Sequence, residues 1–226
     1  MSPIVSGLHT PLRARPNSVS KNRGREQTAA SAQIEHAMKD NPVFGSFGRF
    51  QETPKAEMSP DMKAAFDFTM KLRGEVPGPH KIWICNPKLS ETIVPTGAYY
   101  QTKSTLSKAE IEIVTNVING RWLAAYSNYE HEMIGENLGH LPPEKVDALI
   151  ANLPTSFDDP RQQVVYELAT TLAQPRIVPV GLFRRAKDLI TEAGIVDVTV
   201  LMGWFTAVSL TLNAFDVPSS AVGLEQ

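Results

Sequence analysis

Apolar residues in the second half of the chain recur every three or four positions, which is the spacing of residues on one face of an α-helix. The pair Ser107 and Glu110 forms a capping box, and it predicts that one such helix begins at Lys108. Polar residues, including Glu112, fall on another face of this helix. Its apolar face comprises Ile111, Val114, Ile118 and Trp122.

The rest of the pattern also predicts helices, and no strand pattern competes with them. Ser59 and Pro60 predict the start of a first helix, which Gly74 ends. Short loops between the helices indicate an all-α bundle in which consecutive helices are antiparallel neighbours. Further helices are predicted at residues 86–100, with a break at Pro95, and at 126–138, 143–152, 160–173, 180–193 and 195–215.

Composition divides the chain into two parts. Residues 1–55 mix Pro, Ser, Gly and Arg with few apolar positions, so we predict a flexible N-terminal arm followed by one helical domain at 56–226. The net charge is −2, but residues 1–25 contain basic and no acidic side chains, which leaves the remainder acidic. An acidic body disfavours nucleic acid as a partner.

The cysteine content and the apolar segments bear on location. Cys85 is the only cysteine, so no intrachain disulfide can form, and we expect a reducing, cytoplasmic environment. The basic, Ser-containing N-terminus leaves an organellar matrix as the alternative. The apolar run at 195–212 approaches the length of a membrane span but contains Asp197, so we predict a core or interface helix and no membrane partner.

Three short sequence motifs follow one another between residues 106 and 146. They are Leu-Ser-Lys-Ala-Glu-Ile-Glu at 106–112, Tyr-Ser-Asn-Tyr-Glu-His at 126–131 and Gly-His-Leu-Pro-Pro-Glu-Lys-Val at 139–146. With flanking segments they cover about residues 70–218, and together they resemble the carboxymuconolactone decarboxylase family, which includes the alkylhydroperoxidase D-like proteins. The resemblance implies an all-α, alkylhydroperoxidase D-like helical bundle and a homo-oligomer, with the C-terminal helix in core and subunit contacts.

The resemblance also implies a site. The family's helical glutamate corresponds to Glu112 and its active-site histidine to His131. In the peroxidase branch two cysteines stand seven and four residues before that histidine, where this chain has Ala124 and Ser127. The decarboxylase branch usually has a glutamate at the second of these positions. The chain therefore lacks the thiols of one branch and the carboxylate of the other.

The chemistry of these side chains suits proton transfer. Histidine ionises near neutral pH, so His131 is the candidate acid or base. Ser127 lies one helical turn earlier, and its hydroxyl could share a hydrogen bond with His131, either directly or through water. Glu112 is expected to orient His131 or to carry a second proton. The alternatives are a structural histidine, a serine that only fills space, and a glutamate on a solvated helix face.

Three further residues are candidates for binding substrate: Tyr126, Arg121 and His80. Each has a simpler alternative, as pocket wall, surface charge and loop residue respectively. No metal site is predicted, because Glu130, His131 and Glu132 diverge by about 100° each on a helix and cannot face one ion. No cofactor motif is present.

These observations predict a cofactor-independent acid–base lyase or isomerase, decarboxylase-like, that acts on a small carboxylated or lactone-bearing molecule. Its catalytic residues would be His131, Glu112 and Ser127. Two alternatives remain open at this stage. One is a non-catalytic small-molecule-binding or scaffold protein of the same fold, which the changes at Ala124 and Ser127 favour. The other is a peroxidase-type antioxidant protein, which a single cysteine disfavours.

Overall fold

The computed structural model describes residues 47–222, and this part of the chain contains α-helices and no β-strand. The predicted all-α class is confirmed. Short 3-10 helices at Lys55–Glu57 and Ser219–Ala221 flank the bundle. The α-helices of the described residues are α1 (Pro60–Arg73), α2 (Gly78–Trp83), α3 (Pro87–Thr102), α4 (Lys108–Trp122), α5 (Ala125–Asn137), α6 (Pro143–Ile150), α7 (Pro160–Ala173) and α8 (Val180–Ala214).

The helix starts that the sequence predicted with capping residues are confirmed. Ser59 accepts a hydrogen bond from a backbone amide of the first turn of α1, and Gly74 ends that helix with a φ of 83°. At the start of α4, Ser107 and Glu110 form both hydrogen bonds of the capping box. These local interactions fix where both helices begin.

Helix α4 lies at the centre of the bundle and packs against α5, α6, α7 and α8. Its residues from Glu110 to Gly120 are all buried, the polar ones included. A Cβ atom on Gly120 would lie 2.5 Å from the carbonyl oxygen of Leu149, so this glycine permits the close approach of α6. The alternative of a solvated polar face on α4 is therefore wrong, since every polar residue there needs a partner within the protein.

Helix α8 forms one wall of the core through the side chains of Leu201, Phe205 and Leu212. The sequence predicted two helices with a boundary at Gly194, and the helical geometry is interrupted slightly earlier, at Thr191, where φ is 65°. Among the described residues, α8 is also the one helix long and apolar enough to cross a membrane.

Buried contacts of Asp197 hold α8 to the loop before α4. The carboxylate accepts hydrogen bonds from the Tyr99 and Ser104 hydroxyls and from both the amide and the hydroxyl of Thr105, at 2.8–2.9 Å. A buried carboxylate needs such donors to offset the loss of water. The polar residue that interrupts the apolar run of α8 thus has a structural role.

Three details of the region around α2 and α3 differ from what the sequence favours. Pro95 lies inside the continuous helix α3 instead of breaking it. Helix α2 begins at Gly78, inside the segment 74–79, whose glycines and prolines are typical of a loop. The apolar run Ile-Trp-Ile-Cys at 82–85 favours a core position for Cys85, but its side chain is exposed after the end of α2. The apolar neighbours of Cys85 face the core, and the turn directs the thiol away from it.

Part of the predicted N-terminal arm is described, and Phe47 and Phe50 in it are buried against the helical core. The Phe47 ring packs edge-on against Tyr126, with ring centroids 5.8 Å apart. The packed part of the chain therefore begins before residue 56. Residues 1–46 of the predicted arm lie outside the described residues.

Candidate active site

A histidine and a glutamate from neighbouring helices form a buried pair. His131 on α5 and Glu112 on α4 are in contact, with the Nδ1 atom of the ring 2.7 Å from Oε2 of the carboxylate. The Glu112 side chain is 0% exposed and that of His131 is 12% exposed. Nδ1 is held by the Glu112 carboxylate, and Nε2 lies 3.8 Å from Oε2 of Glu130. Because that distance is longer than a hydrogen bond, Nε2 is the ring nitrogen that can bind a ligand.

Neighbouring side chains fix both members of the pair. Lys108, one turn before Glu112, donates from Nζ to Oε1 of the carboxylate at 2.7 Å. The Asn116 amide donates to the backbone carbonyls of Glu112 and His131, at 3.0 and 3.1 Å, so it ties α4 to α5 directly beside the pair. The carboxylate therefore has a charged donor at each oxygen whenever His131 is protonated.

The two ionisable groups shift each other's pKa in opposite directions. Burial by itself lowers the pKa of His131, but the adjacent Glu112 carboxylate more than offsets this, so the net shift is upward. Burial by itself raises the pKa of Glu112, and the charges of His131 and Lys108 more than offset this, so the net shift is downward. The pairing therefore favours the charged form of each group.

The pair forms part of the wall of a cavity of about 150 Å³. The Phe205 ring meets the His131 ring edge-on, with centroids 4.8 Å apart, and Trp204 packs next to Phe205. These aromatic rings and several charged side chains enclose a small mixed surface. The polar and charged residues that line it are Arg73, Glu75, His80, Tyr100, Gln101, Lys108, Glu112, Glu130 and His131.

His80 lies in the same cavity, as its assignment to substrate binding requires. Its side chain belongs to α2, is 1% exposed, and has no hydrogen-bond partner at either ring nitrogen. Burial, with a smaller contribution from the Arg73 charge, lowers the pKa of His80 to about 3, so the ring is neutral at ordinary pH. The Pro77 carbonyl slightly favours the protonated form but lies outside hydrogen-bonding geometry.

Arg73 also lines the cavity, and sequence reasoning did not select it. It is the last residue of α1, where a basic side chain is expected simply to complement the end of the helix. Its Nε atom is buried and has no hydrogen-bond partner. No local sequence signal could have identified it, because Arg73 and His131 line one cavity only in the folded chain.

The other candidates lie elsewhere. The Ser127 hydroxyl donates to Oδ1 of Asn119 at 2.8 Å instead of binding His131, and the Asn119 amide donates back to the Ser127 carbonyl. Tyr126 is fully buried against Phe47. The direct hydrogen bond between Ser127 and His131 is therefore not formed, because the hydroxyl donates to the buried Asn119.

Arg121 lines a separate groove between the end of α4 and helix α8, where its neighbours include Trp122 and Thr206. It does not line the cavity that contains His131.

In the part of the chain that the structure describes, no three His, Cys, Asp or Glu side chains are grouped closely enough to hold a metal ion. The structure thus brings together His131, Glu112 and His80 from the predicted set and adds Arg73.

Comparison with solved structures places the fold. The debrominase Bmp8 in its apo form is similar with a TM-score of 0.55 at 12% identity, over 72% of this chain and 88% of that chain. A Bmp8 variant in complex with 2,3,4-tribromopyrrole is similar with a TM-score of 0.56 at 13% identity, over the same shares. The sequence matches no family model and no curated protein.

At these identities the likeness shows a common fold. It supports the all-α architecture that the sequence pattern predicted. Membership of the family itself remains a prediction from the sequence.

Proposed function

We propose that this protein is a cofactor-independent acid–base enzyme, a lyase or isomerase, that acts on a small carboxylated or lactone-bearing molecule. The observation that carries the proposal is the contact of 2.7 Å between His131 and Glu112 at the wall of a cavity. A carboxylate that orients an imidazole and favours its protonated form is the arrangement that proton transfer near neutral pH needs.

In a decarboxylation, the bond between a carbon and its carboxylate breaks, carbon dioxide leaves, and the electron pair stays on the substrate as a carbanion or enolate. His131 then donates the proton on Nε2 to that carbon, while Nδ1–H remains bound to Glu112. In an isomerisation, neutral His131 first takes a proton from one carbon and returns it to another. Glu112 stabilises the imidazolium in both cases, because it lies beside the ring with a negative charge.

The size of the cavity and the nature of the structural neighbour support a small ligand. A cavity of about 150 Å³ is comparable to one that accommodates a benzene-sized molecule. The ligand named for the Bmp8 complex, 2,3,4-tribromopyrrole, is also a small ring compound. The proposal therefore concerns substrates with a single small ring or an equivalent chain.

The test is turnover of a panel of small carboxylated lactones and unsaturated acids that begins with carboxymuconolactone. Release of carbon dioxide and ¹H NMR spectra in D₂O report decarboxylation and proton exchange. His131→Ala and Glu112→Gln should each reduce turnover by about 100-fold or more, while the exposed carboxylate substitution Glu91→Gln leaves it unchanged. Full activity in both site variants, with the fold intact, rejects the proposal.

The second candidate is a binding protein that keeps the fold without the chemistry. It is favoured by the Ser127 hydroxyl, which is paired with Asn119 and does not replace the missing thiol or carboxylate of the family. Saturable binding of a small acid without any product would distinguish this function. Since Cys85 is the only cysteine, we expect no peroxide turnover with dithiol donors, and turnover abolished by Cys85→Ser would contradict this.

We also propose that the protein is a cytoplasmic homo-oligomer. Val196, Val200 and Leu210 on α8 are about half exposed, and exposed apolar side chains along one helix favour a subunit contact. Sedimentation or light scattering measures the mass of the assembly. A monomer at all concentrations would reject the oligomer.

A further inference from the structure

We propose that Arg73 and His80 form an acid-binding subsite that holds the anionic oxygen atoms of a carboxylate inside the cavity that contains His131. This inference deepens the proposed function, because it assigns the end of the cavity that receives the acid group. Binding itself does not depend on turnover. The two can therefore be tested separately.

The first observation is the state of His80. The ring is 1% exposed, it lines the cavity, and neither nitrogen has a hydrogen-bond partner. A neutral imidazole has one donor and one acceptor nitrogen, and buried polar groups of this kind are normally satisfied. A ligand oxygen in the cavity would satisfy the donor nitrogen.

The second observation is the position of Arg73. Its buried Nε–H has no acceptor, although guanidinium groups bind carboxylates well with charge-assisted hydrogen bonds. The guanidinium lies against Gly97 of α3, where a Cβ atom would come within 2.7 Å of Nη1 and 2.8 Å of the Trp204 ring. The absence of a side chain at Gly97 makes the space that the guanidinium occupies.

The charges around the cavity leave Arg73 as the site for an anion. The Glu112 carboxylate contacts Lys108 and His131, so these two side chains already compensate its negative charge. Glu75 and Glu130 attract Arg73 electrostatically, but burial outweighs them and lowers the pKa of the guanidinium. A half-buried cation whose Nε–H has no acceptor gains from an incoming carboxylate.

The arrangement also orients the ligand. Aromatic rings run from one histidine to the other: His80 to Trp204 at 6.3 Å, Trp204 to Phe205 at 4.9 Å, and Phe205 to His131 at 4.8 Å between centroids. A flat ligand can lie along this wall with its carboxylate at Arg73 and His80. The reacting carbon then lies at the far end, beside His131, so the group held at Arg73 and His80 is an acid group that stays on the substrate.

The probes are benzoate and benzamide, which have nearly the same shape and differ in charge. Calorimetry, or quenching of tryptophan fluorescence by ligand beside Trp204, measures their affinities at neutral pH. We expect benzoate to bind about 10- to 100-fold more tightly than benzamide. Arg73→Gln and His80→Phe should each remove about 10-fold or more of the benzoate affinity while changing that for benzamide little.

Two further variants separate the position of the Arg73 guanidinium from the total charge of the protein. Gly97→Ala keeps the charge of Arg73 but displaces its guanidinium, so it should reproduce the loss seen in Arg73→Gln. Arg121→Gln removes an arginine that lines a different groove and should leave benzoate binding unchanged. Circular dichroism verifies that each variant is folded.

Several results would overturn the inference. They are equal affinities for benzoate and benzamide in the unmodified protein, no benzoate binding up to roughly 10 mM, or unchanged benzoate binding in folded Arg73→Gln and Gly97→Ala proteins. Loss of binding in His131→Gln alone would place the anion at His131 and also overturn it. Glu112→Gln separates the two proposals, since it should lose turnover and keep the preference for benzoate.

Discussion

Substitution of Glu112 by glutamine tests the electrostatics of the site most directly. The change keeps the size of the side chain and removes its charge, so His131 and Lys108 lose their common anionic partner. Removal of one member of a buried ion pair destabilises a protein by about 3–5 kcal/mol. Because the Lys108 side chain is 44% exposed and can return to water, we expect the lower end, about 3 kcal/mol.

The pKa of His131 should move in the same experiment. Without the carboxylate, burial is the main influence left, so the pKa should fall from above its ordinary value of about 6.5 to below it. Titration by two-dimensional NMR of the imidazole resonances measures this shift. An unchanged His131 pKa in a folded Glu112→Gln protein would refute the reasoning, whatever the effect on stability.

The pH range of the stabilisation follows from the two shifts. The raised pKa of His131 gives a stabilisation that is complete below about pH 6.5 and is lost as the pH rises through the folded-state pKa. The lowered pKa of Glu112 gives a second stabilisation. It is present above about pH 4.3 and is lost as the pH falls through the folded-state pKa of Glu112. Urea unfolding should therefore show the largest difference between wild type and Glu112→Gln between those limits, with Glu91→Gln as the unaffected control.

Three further predictions concern the surroundings of the site. The pKa of buried His80 is lowered to about 3, so protonation of the unfolded chain should destabilise wild type more than His80→Gln. In urea unfolding the difference between pH 7 and 4.5 should be about 2.5 kcal/mol, and equal losses would contradict this. Ser127→Ala should reduce stability by about 1–2 kcal/mol, because Asn119 loses its donor, yet retain any turnover; loss of turnover in a folded protein would return Ser127 to the catalytic set. Ser107→Ala should lower the free energy of unfolding by about 1 kcal/mol through loss of the cap, and an unchanged value would exclude a net contribution.

The parts of the fold that depend on neighbouring residues in sequence were predictable. Ser59 with Gly74, and Ser107 with Glu110, mark helix ends because they bind backbone groups only a few residues away. The break in α8 was predicted close to Thr191, whereas the uninterrupted passage of α3 through Pro95 was not. A proline lacks one amide and strains a helix, but packing of α3 against neighbouring helices stabilises it.

The sequence by itself determined the helical class and, through the family resemblance, predicted His131 and Glu112 as site residues. Helix periodicity and motif spacing depend only on the order of residues along the chain. Only the tertiary structure decided which groups meet. It paired Ser127 with Asn119 and brought Arg73 of α1 into the cavity of His131. These contacts depend on how helices that are distant in sequence pack together. The burial and the charge pairing that result shift the pKa values of His80, His131 and Glu112.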